Sequence, residues 1–412
     1  MTTFTASWIL PIASAPIRDG VVSIDGGRVV DVGESGGGAT SLGRVAILPA
    51  LVNAHTHLEL SYLHRRVPPG TSFNEWVTTL MTLRRAYPDA GPPPIVEATR
   101  LAIAHARECG TGLVGDVSNT LITVPLLREA GMPAHVFYEL IGFNDGDPAG
   151  RVREARASAD AAGVDGGGVR VSLAPHAPYS VSPGLFKAIR EDVDAHPRAV
   201  TTVHLGESAA EVEFLRHGTG PTRRMLEQLG VWTSDWQIPG VSPAEYLTRL
   251  GFLDRHSLVV HGVQFAADDL ALLKTAGVSL VSCPRSNTYV GVGPPPLESF
   301  YAAAVPVAFG TDSLASVADL NMFGELAEAR RIAPSIPARD LLRSATLVGA
   351  RVLDRDDEYG SIEKGKRSAL ITVRVPADVD DVEEYLVGGI EPDAVMWLDS
   401  GSTPNAPTPN SQ

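Results

Sequence analysis

The chain has 412 residues and a formal net charge of −14 at pH 7, which excludes a general electrostatic attraction to nucleic acid or to an anionic membrane. A small-molecule substrate is the partner that we expect, with no nucleic acid and no membrane. Two cysteines, Cys109 and Cys283, cannot build a disulfide framework and fit a reducing compartment, so we expect a cytoplasmic protein. No uncharged apolar run approaches the roughly 18 residues of a membrane span, and we predict no signal peptide.

The first 48 residues alternate short β-like runs with glycine-rich turns, which predicts a small β element. From Val45 onward the pattern changes to short apolar runs, separated by longer segments with helical spacing of Leu, Ala and Ile, such as 183–195 and 209–217. There are eight such runs: 46–53, 112–116, 135–140, 169–174, 200–204, 257–261, 278–283 and 305–310. This alternation predicts an α/β fold, a closed (β/α)8 TIM-type barrel of parallel strands.

A β-like pattern returns at 360–366 and 369–373, near the end of the chain. We expect it to pair with the N-terminal β element, so that a small β-sandwich domain is built from both chain ends. The predicted division is 1–48 for the N-terminal part of the small domain, 49–354 for the barrel and 355–400 for the C-terminal part. Residues 401–412, rich in Ser, Thr, Asn and Pro, are predicted to be a disordered tail.

Two insertions, 61–94 and 231–246, are longer than ordinary connections and follow strand ends on the predicted catalytic face. We interpret both as loops that enclose the substrate. For their aromatic residues, Trp76 among them, packing within the insertion is an equally good interpretation.

An apolar run ends in the pattern His55-Thr56-His57. Side chains two residues apart on a strand point to the same face, so both imidazoles can be directed at one point, which is half of a zinc site. The carboxyl ends of the other predicted strands supply the further titratable groups His176, His204, His261 and Asp312. Because active sites of parallel barrels collect at these ends, we predict a metal site formed by His55, His57, His204 and Asp312 and suited to zinc or iron(II).

We predict one metal ion, because a second would need a bridging ligand, commonly a carboxylated lysine on the fourth strand. The chain has four lysines, and none of them lies on a predicted barrel strand. A metal ion lowers the pKa of its water, and a nearby acid must then carry a proton to the leaving group. We assign that role to Glu207, assign His261 to orient the nucleophile and share its proton with Asp312, and expect His176 to contact the substrate.

These residues lie in motifs that resemble the amidohydrolase superfamily, in the branch of the cytosine, guanine and S-adenosylhomocysteine deaminases and the triazine chlorohydrolases. The motifs are Leu48-Pro49-Ala50-Leu51-Val52-Asn53-Ala54-His55-Thr56-His57, Pro175-His176-Ala177-Pro178-Tyr179-Ser180, His204-Leu205-Gly206-Glu207-Ser208, Val260-His261-Gly262, Ser282-Cys283-Pro284-Arg285-Ser286-Asn287 and Gly310-Thr311-Asp312-Ser313. The resemblance implies the same four metal ligands, proton transfer by Glu207 and His261, and substrate contacts from His176 and Asn287. It also implies a homodimer, and some segments are most similar to aminodeoxyfutalosine deaminases.

The leading hypothesis is a hydrolytic deaminase of an aminated purine or purine nucleoside that releases ammonia with one divalent metal ion, Zn²⁺ or alternatively Fe²⁺. Two alternatives stay open: hydrolysis of a cyclic amide, amidine or halogenated N-heterocycle, and a non-catalytic assembly protein. Arg65, Arg66, Trp76 and Arg285 are candidates for holding the substrate. Glu59 is a candidate for the pocket wall, with a structural role as the alternative.

Overall fold

The computed structural model describes residues 1–34, 38–69, 72–87, 91–163 and 168–398. The predicted disordered tail, 401–412, lies outside the described residues. No helix within the described ranges is long and apolar enough to span a bilayer.

Strands from both ends of the chain form two small sheets. The four-stranded sheet contains Thr2–Thr5, Gly20–Asp25, Arg28–Glu34 and Thr40–Ser41, and the five-stranded sheet contains Trp8–Ile9, Ile17–Arg18, Val45–Pro49, Leu370–Arg374 and Val395–Trp397. The pairing of Val45–Pro49 with Leu370–Arg374 is antiparallel and joins the two chain ends, as expected. The two sheets share one apolar core, which includes Val22, Ile47 and Leu370.

The apolar run expected as the first barrel strand, 46–53, is divided between two sheets. Its first half belongs to the strand Val45–Pro49 of the small sheet, and its second half begins the strand Leu51–Thr56. The backbone changes partners at Ala50, whose N–H donates to the carbonyl of Ala369, whereas Leu51 N–H donates to the carbonyl of Gly110. Hydrophobicity is continuous across this change because both halves are buried, so the boundary predicted at residue 46 was wrong.

Eight strands of the described chain form two parallel four-stranded sheets. The first consists of Leu51–Thr56, Thr111–Ser118, Ala134–Leu140 and Val169–Pro175, and the second of Thr201–Leu205, Ser257–His261, Ser279–Ser282 and Val307–Phe309. At one junction of the sheets Asp312 N–H donates to the carbonyl of His55, and at the other His204 N–H donates to the carbonyl of His176. The last residues of four strands are thereby brought together on one face.

Helices separate and cover these strands in a mixed α/β arrangement. They are Phe73–Arg84, Pro93–Glu108, Thr123–Glu129, Pro148–Gly163, Pro183–Ala195, Ala209–His217, Gly220–Gln228, Pro243–Arg249, Ala267–Ala276, Pro284–Tyr289, Leu297–Ala302, Met322–Ile332, Ala338–Arg343, Gly349–Val352 and Val382–Val387. Short 3₁₀ turns occur at Leu58–Leu63 and Pro392–Ala394, and a π-helical turn at Ser344–Val348 lies between the helices Ala338–Arg343 and Gly349–Val352.

Candidate metal centre and active site

Three of the predicted ligands converge at the ends of two strands. His55 lies in Leu51–Thr56, His57 follows that strand directly, and His204 lies near the end of Thr201–Leu205. His55 and His204 are buried, the side chain of His57 is 12% exposed, and one ring nitrogen of each residue lies within 4.8 Å of the other two. The closest pair is His57 Nε2 and His204 Nε2, at 3.3 Å.

Asp312, which follows the strand Val307–Phe309, completes this cluster. Its Oδ1 lies 3.5 Å from His57 Nε2 and 3.8 Å from His55 Nε2. Its Oδ2 accepts hydrogen bonds from Ser286 Oγ at 2.6 Å and from Ser316 Oγ at 3.1 Å. The backbone of Asp312 has φ of 60°, a left-handed conformation that residues other than glycine rarely adopt. The N–H bond to His55 and the two serine hydroxyls hold this strained turn, which directs the carboxylate at the imidazoles.

The protonation states of the cluster are those that bind a cation. Burial, followed by the neighbouring histidines, lowers the pKa of His55 well below 6.5, and burial lowers the pKa of His204 to about 3. Burial by itself would raise the pKa of Asp312, but His57, His261 and the Ser286 hydroxyl lower it overall. Near neutral pH, His55 and His204 are therefore neutral imidazoles beside the anionic carboxylate of Asp312.

Unsatisfied polar atoms provide a test of whether these residues fit a metal ion. Both ring nitrogens of His55 are buried and have no hydrogen-bond partner among the described residues. A buried imidazole without a partner is costly unless its lone pair has another use. Three imidazoles and one carboxylate form a donor set suited to a divalent cation of borderline softness, so the residues present fit such an ion.

A candidate pair for proton transfer lies beside the cluster. Glu207 Oε1 is 3.5 Å from His261 Nε2, and burial, followed by the charges of Asp312 and Glu211, raises the pKa of Glu207 well above 4.5. Burial lowers the pKa of His261, whose Nδ1 donates to Asn287 Oδ1 at 2.8 Å. The Nε2 atom of a neutral His261 therefore carries the lone pair and faces a carboxyl group whose protonated form is favoured by burial.

A cavity opens onto these groups. Its wall contains the predicted site residues His57, His176, His204, Glu207, His261 and Asp312, together with Trp76 from the first insertion. The cavity volume of about 110 Å³ is below the several hundred Å³ of most ligand pockets. The helix Phe73–Arg84 covers this cavity and supplies Phe73, Trp76 and Leu80 to its wall.

A comparison with known families places the chain in one of them. Residues 46–395 match the Amidohydrolase family model. The chain belongs to the amidohydrolase family. The predicted resemblance is thereby confirmed at the level of the family.

Curated relatives and solved structures cover most of this amidohydrolase. A 5-methylthioadenosine/S-adenosylhomocysteine deaminase of Moorella thermoacetica is 29% identical, with 94% of this chain and 90% of the relative aligned. An aminodeoxyfutalosine deaminase of Deinococcus radiodurans is 30% identical over 74% of this chain and 73% of its own. A zinc-bound adenosine deaminase of Xanthomonas campestris superposes with a TM-score of 0.81 at 26% identity, covering 96% of this chain and 90% of that one.

Five residues expected to touch the substrate of the amidohydrolase lie outside the cavity wall, and three of them have other partners. Asn287 instead fixes His261. Glu59 accepts hydrogen bonds from Ser118 Oγ, Asn119 N and Thr120 Oγ1, which is the structural role given above as its alternative.

Arg285 is the third. Its guanidinium pairs with Asp319 at 2.8 Å and with the fully buried Glu325 at 2.7 Å. A buried carboxylate requires such a countercharge, and we therefore do not retain Arg285 as a substrate ligand. Arg65 and Arg66 also lie outside the residues of the cavity wall.

The two insertions of the amidohydrolase have different roles. The first supplies the covering helix Phe73–Arg84, as expected. The second does not contribute to the cavity wall, because its Trp232 and Trp236 pack against Phe143 and Phe214, with Trp236 stacked on Phe214 at 4.4 Å between ring centroids. Residues 231–246 therefore contribute aromatic packing and do not line this cavity, contrary to the expectation.

Glu139 and Asn119 line the cavity and were missed by sequence reasoning. Glu139 lies in the strand Ala134–Leu140, with Oε1 3.6 Å from His204 Nδ1. Asn119 follows the strand Thr111–Ser118, and its Nδ2 donates to Glu139 Oε2 at 2.8 Å. Both residues lie at the carboxyl ends of predicted strands, so the sequence could have identified them. The prediction considered only the histidines and one aspartate at these strand ends.

Proposed function

We propose that this protein is a metal-dependent hydrolytic deaminase of adenosine-type nucleosides that releases ammonia. One observation carries the proposal: the buried Glu207 carboxyl group faces His261 Nε2 at 3.5 Å in the cavity whose wall also contains His57 and His204. This arrangement places an acid and a base beside a nucleophile site. The names of the curated relatives support the same reaction, as do the identities of 29% and 30% with two deaminases.

We infer that one divalent ion, Zn²⁺ or alternatively Fe²⁺, is held by His55, His57, His204 and Asp312. The ion, when bound, lowers the pKa of a water molecule and so supplies the nucleophile near neutral pH. The zinc in the Xanthomonas campestris relative supports zinc. Metal analysis of the purified protein distinguishes the two metals.

The residues of the chain then move protons. Glu207 donates its proton to the ring nitrogen beside the reacting carbon, which makes that carbon more electrophilic. His261 orients the attacking water and receives its proton through Nε2. A carbon–oxygen bond forms, and the proton of the new hydroxyl group passes through the Glu207 carboxylate to the amino group. The carbon–nitrogen bond then breaks, which releases ammonia and leaves a ring carbonyl group, and His261 returns its proton to Glu207. One water molecule is consumed for each ammonia released.

The eight parallel strands, we infer, close into one (β/α)8 barrel. The backbone bonds at both junctions, Asp312 to His55 and His204 to His176, support closure. The domain limits 1–48, 49–354 and 355–400 and the homodimer remain proposals. Limited proteolysis tests the limits, and light scattering of the purified protein tests the dimer.

The alternative reaction, hydrolysis of a halide or cyclic amide, keeps the same machinery. The zinc-bound atrazine chlorohydrolase TrzN of Arthrobacter aurescens superposes with a TM-score of 0.78 over 95% of this chain and 92% of that one, but its identity of 21% shows the fold alone. The deaminase relatives are more similar in sequence and are favoured for that reason.

An ammonia-release assay on zinc-loaded protein tests the proposal. The panel contains adenosine, 5′-deoxyadenosine, 5′-methylthioadenosine, S-adenosylhomocysteine, guanine and cytosine, and chloride release from a chlorotriazine is measured in parallel. We expect ammonia from at least one adenosine-type nucleoside. Chloride release without ammonia from any nucleoside would favour the alternative and reject the deaminase.

A further inference from the structure

Glu139 lies on the side of His204 that faces away from the other two imidazoles. His204 Nε2 faces His57 Nε2 at 3.3 Å, whereas His204 Nδ1 lies 3.2 Å from the carbonyl of His176 and 3.6 Å from Glu139 Oε1. We propose that Glu139 is a positioning residue that holds His204 in the tautomer and orientation that bind the metal ion, and that Asn119 holds Glu139 for this purpose. This inference rests on the metal centre of the proposed function.

The surroundings of the two ring nitrogens separate their roles. A histidine that binds a metal commonly gives its second N–H to a carbonyl or carboxylate, which fixes the tautomer and strengthens the ligand. The carbonyl of His176 is the direct acceptor for Nδ1–H, because 3.6 Å is too long for a hydrogen bond to Glu139. The Glu139 carboxylate adds negative charge at short range, which favours a proton on Nδ1 and leaves the lone pair on Nε2.

Glu139 is not itself a ligand of the ion that His204 would bind. Glu139, His176 and His204 do form a second group whose ligand atoms lie within 4.8 Å of one another. The two nitrogens of an imidazole point in different directions, so an ion on Nε2 of His204 cannot be reached by a carboxylate beside Nδ1. Glu139 acts through His204.

A hydrogen bond from Asn119 fixes the carboxylate of Glu139, and Asn119 is itself held by residues of two further elements. Asn119 Nδ2 donates to Glu139 Oε2 at 2.8 Å and to the Glu139 carbonyl at 3.2 Å. Asn119 Oδ1 accepts from Arg84 Nη2 at 2.9 Å, and Asn119 N–H donates to Glu59 Oε1 at 3.0 Å. The Asn119 amide is therefore held at both ends, and the chain of contacts runs from the covering helix to a metal ligand.

Metal affinity and the spectrum of the bound metal test this role. Zn²⁺ affinity is measured by competition with a chelating indicator for the wild type, Glu139→Gln, Glu139→Ala and Asn119→Ala, and the Co²⁺-loaded proteins are compared by visible absorption. We expect Glu139→Ala to weaken Zn²⁺ binding about 10- to 100-fold and to alter the Co²⁺ spectrum. Glu139→Gln, which keeps an acceptor but loses the charge, should lie between. The exposed Glu154 supplies the control Glu154→Gln, which makes the same charge change and should bind Zn²⁺ as the wild type does.

Unchanged Zn²⁺ affinity and an unchanged Co²⁺ spectrum in a folded Glu139→Gln protein would overturn the proposal. Asn119→Ala should weaken binding in the wild-type background and have little further effect in Glu139→Gln, because both changes act on one contact. Fully additive effects would contradict the role of Asn119. If the wild type binds Zn²⁺ with this dependence on Glu139 but releases no ammonia from any nucleoside, the proposed function fails and the positioning role stands.

Discussion

The Nε2 atoms of His57 and His204 lie 3.3 Å apart in a buried cluster, and Asp312 Oδ1 lies 3.5 Å from the first of them. Two imidazole nitrogens and a carboxylate oxygen this close together form a donor set that a divalent cation would bind. We expect chelation to lower the melting temperature, because a ligand at 100 times its Kd stabilises the folded state by about 2.7 kcal/mol. Calorimetry with and without Zn²⁺ measures the shift, and His57→Ala should abolish it. An equal melting temperature for metal-free and metal-loaded wild type would contradict the site.

Glu207→Gln tests the proton shuttle separately from metal binding. The amide occupies nearly the same space but cannot donate and recover a proton, so we expect kcat to fall by roughly 10²- to 10⁴-fold. Glu207 is not one of the predicted metal ligands, so the metal content of the variant should equal that of the wild type. Steady-state ammonia release and metal analysis of the same preparation check both points. Wild-type kcat in this variant would exclude Glu207 as the shuttle.

His135 gives a prediction for stability against pH. Burial, followed by the charge of Arg170, lowers its pKa from 6.5 to about 3, while Nε2 remains hydrogen-bonded to Ser172 Oγ at 2.7 Å. Between pH 6.5 and 3, His135 is protonated in the unfolded chain but neutral in the folded chain. The contribution of neutral His135 to the free energy of unfolding is therefore complete above pH 6.5 and is lost as the pH falls. The loss from this group is about 2 kcal/mol at about pH 5.

The measurement is the free energy of unfolding in denaturant at several pH values. His135→Gln keeps a donor for Ser172 and removes the titrating group, so the decrease in stability from about pH 7 to about pH 5 should be smaller than in the wild type. Identical slopes in the two proteins would contradict a neutral, buried His135. The comparison uses slopes because the substitution also changes stability at neutral pH.

Sequence patterns predicted the parts of this structure that local periodicity encodes. His55 and His57 stand two residues apart at a strand end, and the helices Pro183–Ala195 and Ala209–His217 have the predicted bounds. Hydrophobic runs cannot report which sheet they enter, and 46–53 was assigned to one strand for that reason. The position of Ala50 at the change of partners is set by pairing with Ala369, a contact distant in sequence.

Side-chain partners account for the remaining differences. Arg285 forms an ion pair with Glu325, which is 40 residues away in the sequence. A single sequence does not predict that pairing. Glu139 could have been found by applying the strand-end rule to carboxylates as well as to histidines. The distinction between its charge acting through His204 and a direct metal contact needs the positions of both imidazole nitrogens, which only the folded structure provides.

The covering helix Phe73–Arg84 predicts which nucleosides are preferred. Its residues on the cavity wall follow helical spacing and are mostly apolar: Phe73, Trp76, Val77, Leu80, Met81 and Arg84. We expect an apolar substituent on the nucleoside to be favoured over a charged amino-acid tail, so that kcat/KM for 5′-methylthioadenosine exceeds that for S-adenosylhomocysteine by about tenfold or more.

Leu80→Ala should reduce kcat/KM for 5′-methylthioadenosine by about tenfold and affect adenosine less, because only the first presents a methylthio group to this wall. Thr79→Ala, on the exposed face of the same helix, is the control and should change neither value. Equal losses for both nucleosides in Leu80→Ala would show that the helix does not read this substituent.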